Sequence, residues 1–145
     1  MNVKDFLKQG SLLDQQISFN LRRLQEMKSG ICNMTSLQIK GVKVQTSPNG
    51  DAPFVKALER YEEMQEHINQ QIDMLVKLKQ QIDEAIHSVE SKEYQMLLLY
   101  RYIEQWSWEE IGSALGVGRT TINRWHLDAL QKVKMPENPI VINGI

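Results

Sequence analysis

The stretch Ser107-Trp-Glu-Glu-Ile-Gly-Ser-Ala-Leu-Gly-Val-Gly-Arg-Thr-Thr-Ile-Asn-Arg-Trp-His-Leu-Asp-Ala-Leu130 decides the fold of this chain. Ser107 and Glu110 have the spacing of a capping box, in which the serine hydroxyl accepts from a helix-start amide and the glutamate reaches back to the serine N–H. A helix therefore starts at about Trp108. Its apolar residues Trp108, Ile111, Ala114 and Leu115 share one face, which packs inward. Gly116 suits the left-handed conformation that closes a helix, Val117 is the apolar residue such turns tuck into the core, and Gly118 can cap the next helix. The second helix runs from Arg119 to about Val133, with Ile122, Trp125, Ala129 and Val133 on its core stripe. Its opposite side shows Thr120, Asn123 and Arg124, with Arg119 at the edge. These groups can reach base edges and phosphates, and an arginine pairs with guanine through two hydrogen bonds. Two short helices and a tight turn make a helix-turn-helix, which points the N-terminal part of its second helix into the major groove.

The longer run from Tyr102-Ile-Glu-Gln-Trp through Leu115-Gly-Val-Gly-Arg-Thr-Thr-Ile122 to Arg124 resembles the fourth conserved region of bacterial sigma factors. Its continuation, Arg124-Trp-His-Leu-Asp-Ala-Leu130, more closely resembles phage-encoded sigma-like regulators of late transcription, the ArpU and RinA type. The C-terminal resemblance covers about Ser91 to Val133, and a loop followed by a long helix extends it, less specifically, back to about Ser47. It implies a regulator that binds double-stranded DNA at phage or prophage late genes, in the cytoplasm of a bacterial host. Arg119, Thr120, Asn123 and Arg124 occupy the base-contacting positions by this resemblance, and Trp125 a core position. Thr121, Ser107 and Lys132 are candidates for phosphate contacts. Host RNA polymerase is a second implied partner. Gln105 departs from the pattern, because glycine is usual there, and Gly118 replaces the usual serine or threonine cap. Base preference does not carry over, since the reading residues differ in type from the sigma ones.

The chain has 145 residues, 41% of them apolar and 24% charged, and a net charge of −1. Such a balance is ordinary for a protein with a modest core and argues at first against a nucleic-acid binder. The distribution changes that reading: residues 1–52 carry +3, residues 53–90 carry −4 and residues 91–134 carry +1, with +3 concentrated in 116–134. Phosphate neutralisation dominates non-specific affinity, so one copy of so weakly basic a module binds DNA poorly. Dimerisation or a partner protein is the natural remedy.

Upstream, Phe6, Gly10, Leu13, Ile17, Asn20, Leu24 and Met27 step by fours and threes, predicting a helix from Val3 to about Ser29. Residues 30–53 read as a long loop, with a brief strand-like alternation over 37–45, turn chemistry over 46–53, and Lys40 and Lys43 as auxiliary DNA contacts of second rank to a solvated connector. Pro53 leads into a helix from about Phe54 to Val89, whose heptad-like seam asks for a partner in the first helix or in another copy of the chain. A homo-oligomer through this helix is the expectation. Ser91 caps a support helix from Lys92 to about Gln105, with Tyr94, Leu97, Leu98, Arg101 and Tyr102 along one side. Residues 135–145 form an extended tail, read as mobile, with docking of Ile140, Val141, Ile142 and Ile145 as the alternative. The fold class is all-α: an N-terminal helical hairpin or coiled coil over 1–90 and a tri-helical helix-turn-helix domain over 91–134.

Nothing in the sequence assembles an active site, and the expectation is a non-enzyme without cofactor or metal. Glu62, Glu63, Glu66 and Arg60 read as a solvated helix face, and His67 and His87 stand too far apart along one helix to share a metal. Cys32 is the single cysteine and reads as an isolated thiol. His126 lies beside the core stripe and reads as packed rather than DNA-contacting. Trp106, Trp108 and Trp125 read as core builders rather than base-stacking platforms. The N-terminus lacks an apolar signal segment, and no run approaches the ~18 apolar residues of a membrane span. The main rival function is a protein-interaction adaptor docking on RNA polymerase or a sigma factor; a third makes the long helix a scaffold and the C-terminal unit its cap.

Overall fold

A computed structural model describes residues 1–39 and 52–142. Among the described residues there are five α-helices and no strand: α1 (Val3–Ile39), α2 (Ala52–His87), α3 (Lys92–Leu98), α4 (Trp108–Leu115) and α5 (Arg119–Lys132), with a π turn over Leu99–Ile103 between α3 and α4. The chain is all-α, as its periodicity predicts. It divides into two compact units, Met1–Gln15 with Met74–Ile145, and Gln16–Asp73.

The first unit gathers the start of α1, the end of α2 and the three C-terminal helices. Its core is built from Phe6, Leu7 and Leu13 of α1, Leu78, Ile82 and Ile86 of α2, and Leu97, Leu98, Ile111 and Ile122 of the C-terminal helices, all essentially inaccessible to solvent. Burial of such side chains contributes roughly 1.5–3 kcal/mol each before the entropy of ordering them. Gly10 belongs to this packing, because a Cβ there would stand 3.1 Å from Ile82 Cδ1. In the second unit Ile17 of α1 and Ile68 of α2 are buried, and polar residues join the helices: Asn20 Nδ2 donates to Gln71 Oε1 at 2.9 Å. Gln71 Nε2 in turn donates to Gln16 Oε1 at 3.4 Å.

Three expectations are corrected. The first helix does not stop near Ser29 but continues through Gly30 to Ile39, so residues 30–39 of the expected loop are helical. A mid-helix glycine costs only about 1 kcal/mol, and Met27 and Ile31 keep the apolar spacing on either side of it. The rest of that loop, with Lys40, Lys43 and most of the strand-like alternation, lies outside the described residues. The support helix is not one regular α-helix to Gln105, since its last turn widens to π geometry, with Glu104 N–H donating to Leu99 O at 3.0 Å.

The tail, expected to be mobile, is docked in its described part. Gln81 Nε2 donates to Asn138 O at 3.0 Å while its Oε1 accepts from Ile140 N–H at 2.9 Å. Gln9 repeats the arrangement one step on, donating to Ile140 O at 2.9 Å and accepting from Ile142 N–H at 2.8 Å. Two glutamine amides thus pair with the extended backbone as a neighbouring strand would, and Gln9 is only 4% exposed. A buried amide left unpaired costs about 1–3 kcal/mol, which ties the tail to α1 and α2. Ile145 lies outside the described residues.

Candidate nucleic-acid interface

Local chemistry fixes the two helices of the motif. Ser107, in extended geometry, accepts from Glu110 N–H at 3.2 Å, the serine arm of the expected capping box. At the other end of α4, Gly116 adopts φ 70°, ψ 31°, and its N–H donates to Gly112 O. Val117 N–H donates to the same carbonyl at 3.1 Å. Gly118 is the extended N-cap of α5, as its position in the sequence predicts. Ile111, Ile122 and Ala129 are fully buried where the two helices pack, and Val133 is nearly so. Trp125 is only half-buried, tilted against Tyr94 with ring centroids 6.0 Å apart.

Arg119, Thr120, Asn123 and Arg124 are all exposed on the first two turns of α5, and Thr121 is half-buried beside them. Ser107 is exposed at the start of α4, its hydroxyl already engaged with the helix. Lys132 stands apart, in the last turn of α5, with its ammonium 5.3 Å from the Tyr94 ring centroid. The expected base-reading residues are therefore brought together on one short stretch of helix, and the expected phosphate-contacting residues are dispersed around it.

Behind this face sits a polar-aromatic core. The Tyr102 hydroxyl lies 2.7 Å from His126 Nε2, and both residues are buried. Burial pushes the tyrosine up to about 12. Burial first, then the positive charges of Lys4, Arg101 and Lys8, hold His126 down at about 4. Both shifts assign the same bond, with the protonated phenol donating to a neutral imidazole. Trp108 meets His126 edge-on at 4.7 Å, and the Arg101 guanidinium lies 4.3 Å from the Trp108 centroid while donating to Trp106 O at 3.0 Å. Tyr100 and Trp106 stack at 4.2 Å. The three tryptophans are thus half-buried supports of the domain, each held by a ring or cation within the protein.

Residues 79–133 match the family model described as sigma-70, region 4. This segment is a sigma-region-4-like helix-turn-helix. No curated protein and no solved structure matches the chain. Sigma region 4 is in general a DNA-binding, transcription-related unit that also interacts with RNA polymerase, and it is to that kind of unit that residues 79–133 are similar. It begins within α2, so the region-4-like segment takes in the last turns of the long helix as well as α3 to α5.

Sequence reasoning missed one side of the site. Lys4 and Lys8 of α1 line the same groove as Arg101, Asn123 and His126. The signal available was a pair of lysines one helical turn apart on α1, which no local pattern connects to a helix more than a hundred residues away. Leu127, 63% exposed on α5, is another residue whose position the apolar stripe does not explain. Among the described residues there is no cluster of metal-ligating side chains, and no helix is long and apolar enough to cross a membrane.

Proposed function

We propose that the chain is a sequence-specific regulator of transcription that binds double-stranded DNA and reads the major groove with α5. The observation that carries this reading is the exposed row Arg119, Thr120, Asn123 and Arg124 at the start of the second helix of a region-4-like motif. In this reading Arg119, Thr120, Asn123 and Arg124 address base edges, while Thr121, Ser107 and Lys132 contact phosphates and set the register. The targets are late genes of a phage or prophage of the ArpU and RinA type, the protein works in the bacterial cytoplasm, and copies associate through α2. These finer statements rest on the resemblance of Arg124-Trp-His-Leu-Asp-Ala-Leu130 and on the weak net basicity of one copy.

The test is binding of the purified full chain to fragments upstream of its neighbouring genes, with excess random DNA and at two salt concentrations. A selective complex that weakens steeply with salt is expected. Weak, unselective binding together with salt-insensitive association with RNA polymerase would move the function to an adaptor, which similarity to sigma region 4 also fits.

A further inference from the structure

We propose that Lys4 and Lys8 of α1 join Arg101 in a clamp for the phosphodiester backbone of duplex DNA, alongside the recognition helix. The inference rests on the DNA-binding reading above and adds residues that lie outside the region-4-like segment. Lys4, Lys8 and Arg101 line one groove of about 690 Å³, whose wall on the α5 side is formed by Asn123 and His126. Asn123 belongs at once to this groove and to the exposed row of α5, so a strand held in the groove runs beside the bases that row addresses.

The charge in the groove is uncompensated. No carboxylate lines it, and among the described residues neither lysine is in an ion pair. Asp5 and Asp14 of α1 are both outside the lining, and Asp14 accepts from Gln105 Nε2 at 3.1 Å. Arg101 is held in place by Trp108 and by the Trp106 carbonyl, whereas both lysines are exposed and free to reach. His126 reports the resulting field, because the same three cations act on its imidazole together. Converging cations on a pre-formed wall, next to a groove-reading helix, fit a chain of phosphates better than a single small anion. The arrangement also bears on the charge problem of the sequence, since folding sets two lysines in the groove beside the weakly basic module while Asp5 and Asp14 of the same stretch stay outside its lining.

The experiment measures anisotropy of a labelled random-sequence duplex with the full chain over a series of salt concentrations, comparing wild type with Lys4→Gln/Lys8→Gln. Two lost phosphate contacts should lower the magnitude of the log–log salt slope by about 1.8 and weaken all sequences alike. Lys4→Arg/Lys8→Arg should restore the slope. An unchanged slope in the glutamine variant, in a protein whose Arg119→Ala/Arg124→Ala variant loses selectivity, overturns the clamp and leaves the DNA-reading function standing. Absence of duplex binding by the wild type at low salt overturns both. Saturable binding of inorganic phosphate, read by isothermal titration calorimetry and abolished by the glutamine pair without any change in duplex binding, assigns the groove to a free anion and overturns the clamp.

Discussion

Gln105 sits at φ 61°, the one non-glycine residue with positive φ among the described residues. That region costs an L-residue roughly 1–2 kcal/mol, and the position is the one where the region-4 pattern usually has glycine. The side chain recovers part of the cost through its bond to Asp14. Gln105→Gly should raise stability by about 0.5–1 kcal/mol and Gln105→Val lower it by more than about 1, as read by thermal unfolding. His126 makes a pH prediction. Its folded-state value of about 4 lies below the ordinary 6.5, so between those values the unfolded chain binds a proton that the folded chain does not. Stability therefore falls as pH drops from about 6.5 to about 4 and the histidine contribution levels off below that, with a loss of about 3 kcal/mol. His126→Gln should flatten that part of the profile in denaturant titrations. At the proposed DNA surface, Arg124→Ala should cost roughly 1–3 kcal/mol at a cognate site and little on random DNA. Equal loss on both would contradict base reading.

At the scale of elements, the turn between α4 and α5 depends on a close approach as much as on the left-handed glycine. A Cβ on Gly112 would stand 2.9 Å from the Val117 carbonyl oxygen, a backbone atom that cannot swing away. Alanine in place of glycine ordinarily stabilises a helix interior by about 1 kcal/mol; here Gly112→Ala should instead destabilise by roughly 1–3 kcal/mol. The reversed sign separates helix propensity from turn packing, and chemical denaturation reads it. The tail is a second element held by specific atoms. Gln9→Ala removes the partner of Ile142 N–H and of the Ile140 carbonyl, and Gln81→Ala does the same one step earlier. The double variant should lose about 2–3 kcal/mol, with amide exchange at Ile140 and Ile142 rising to that of an unstructured chain. Amides that stay protected would show that apolar burial alone holds the tail.

For the whole molecule, the balance of charge decides how it meets DNA. The acidic stretch lies within α2, whereas α5 sets Arg119, Arg124 and Lys132 against the single carboxylate of Asp128, and the start of α1 supplies Lys4 and Lys8 with Asp5 and Asp14. Long-range repulsion is screened within about 8 Å at physiological salt, so the local cluster governs contact while the net charge of −1 does not. The proposed association of copies has a candidate surface. Seam residues Ile68, Leu75, Ile82 and Ile86 are consumed by packing within the chain, whereas Ile72 and Val76, one turn apart on α2, are 38% and 62% exposed. Ile72→Lys/Val76→Lys should reduce the sedimentation coefficient to that of a monomer and weaken DNA binding without altering the fold. A wild-type protein already monomeric at DNA-binding concentrations removes association through this face.

The sequence by itself determined the all-α class, the capped helix at Trp108, the left-handed turn at Gly116 and the buried stripe of α5, because capping, backbone sterics and helical periodicity act over a few residues. Those terms also placed His126 beside the core and set Arg119, Thr120, Asn123 and Arg124 on the opposite face. Tertiary structure decided what depends on distant partners. The continuation of α1 through Gly30 is not among these, since nothing stands within 4 Å of a Cβ there and a penalty of about 1 kcal/mol is simply too small to end the helix. The docking of the tail depends on Gln9 and Gln81, which are more than fifty residues from the backbone they bind. The π turn over Leu99–Ile103 carries Arg101, whose partners Trp106 and Trp108 lie outside the support helix. The basic groove exists only because folding brings α1 against the helix-turn-helix, and the energy of that meeting comes from buried apolar surface that carries no information in sequence about which charges it will set side by side.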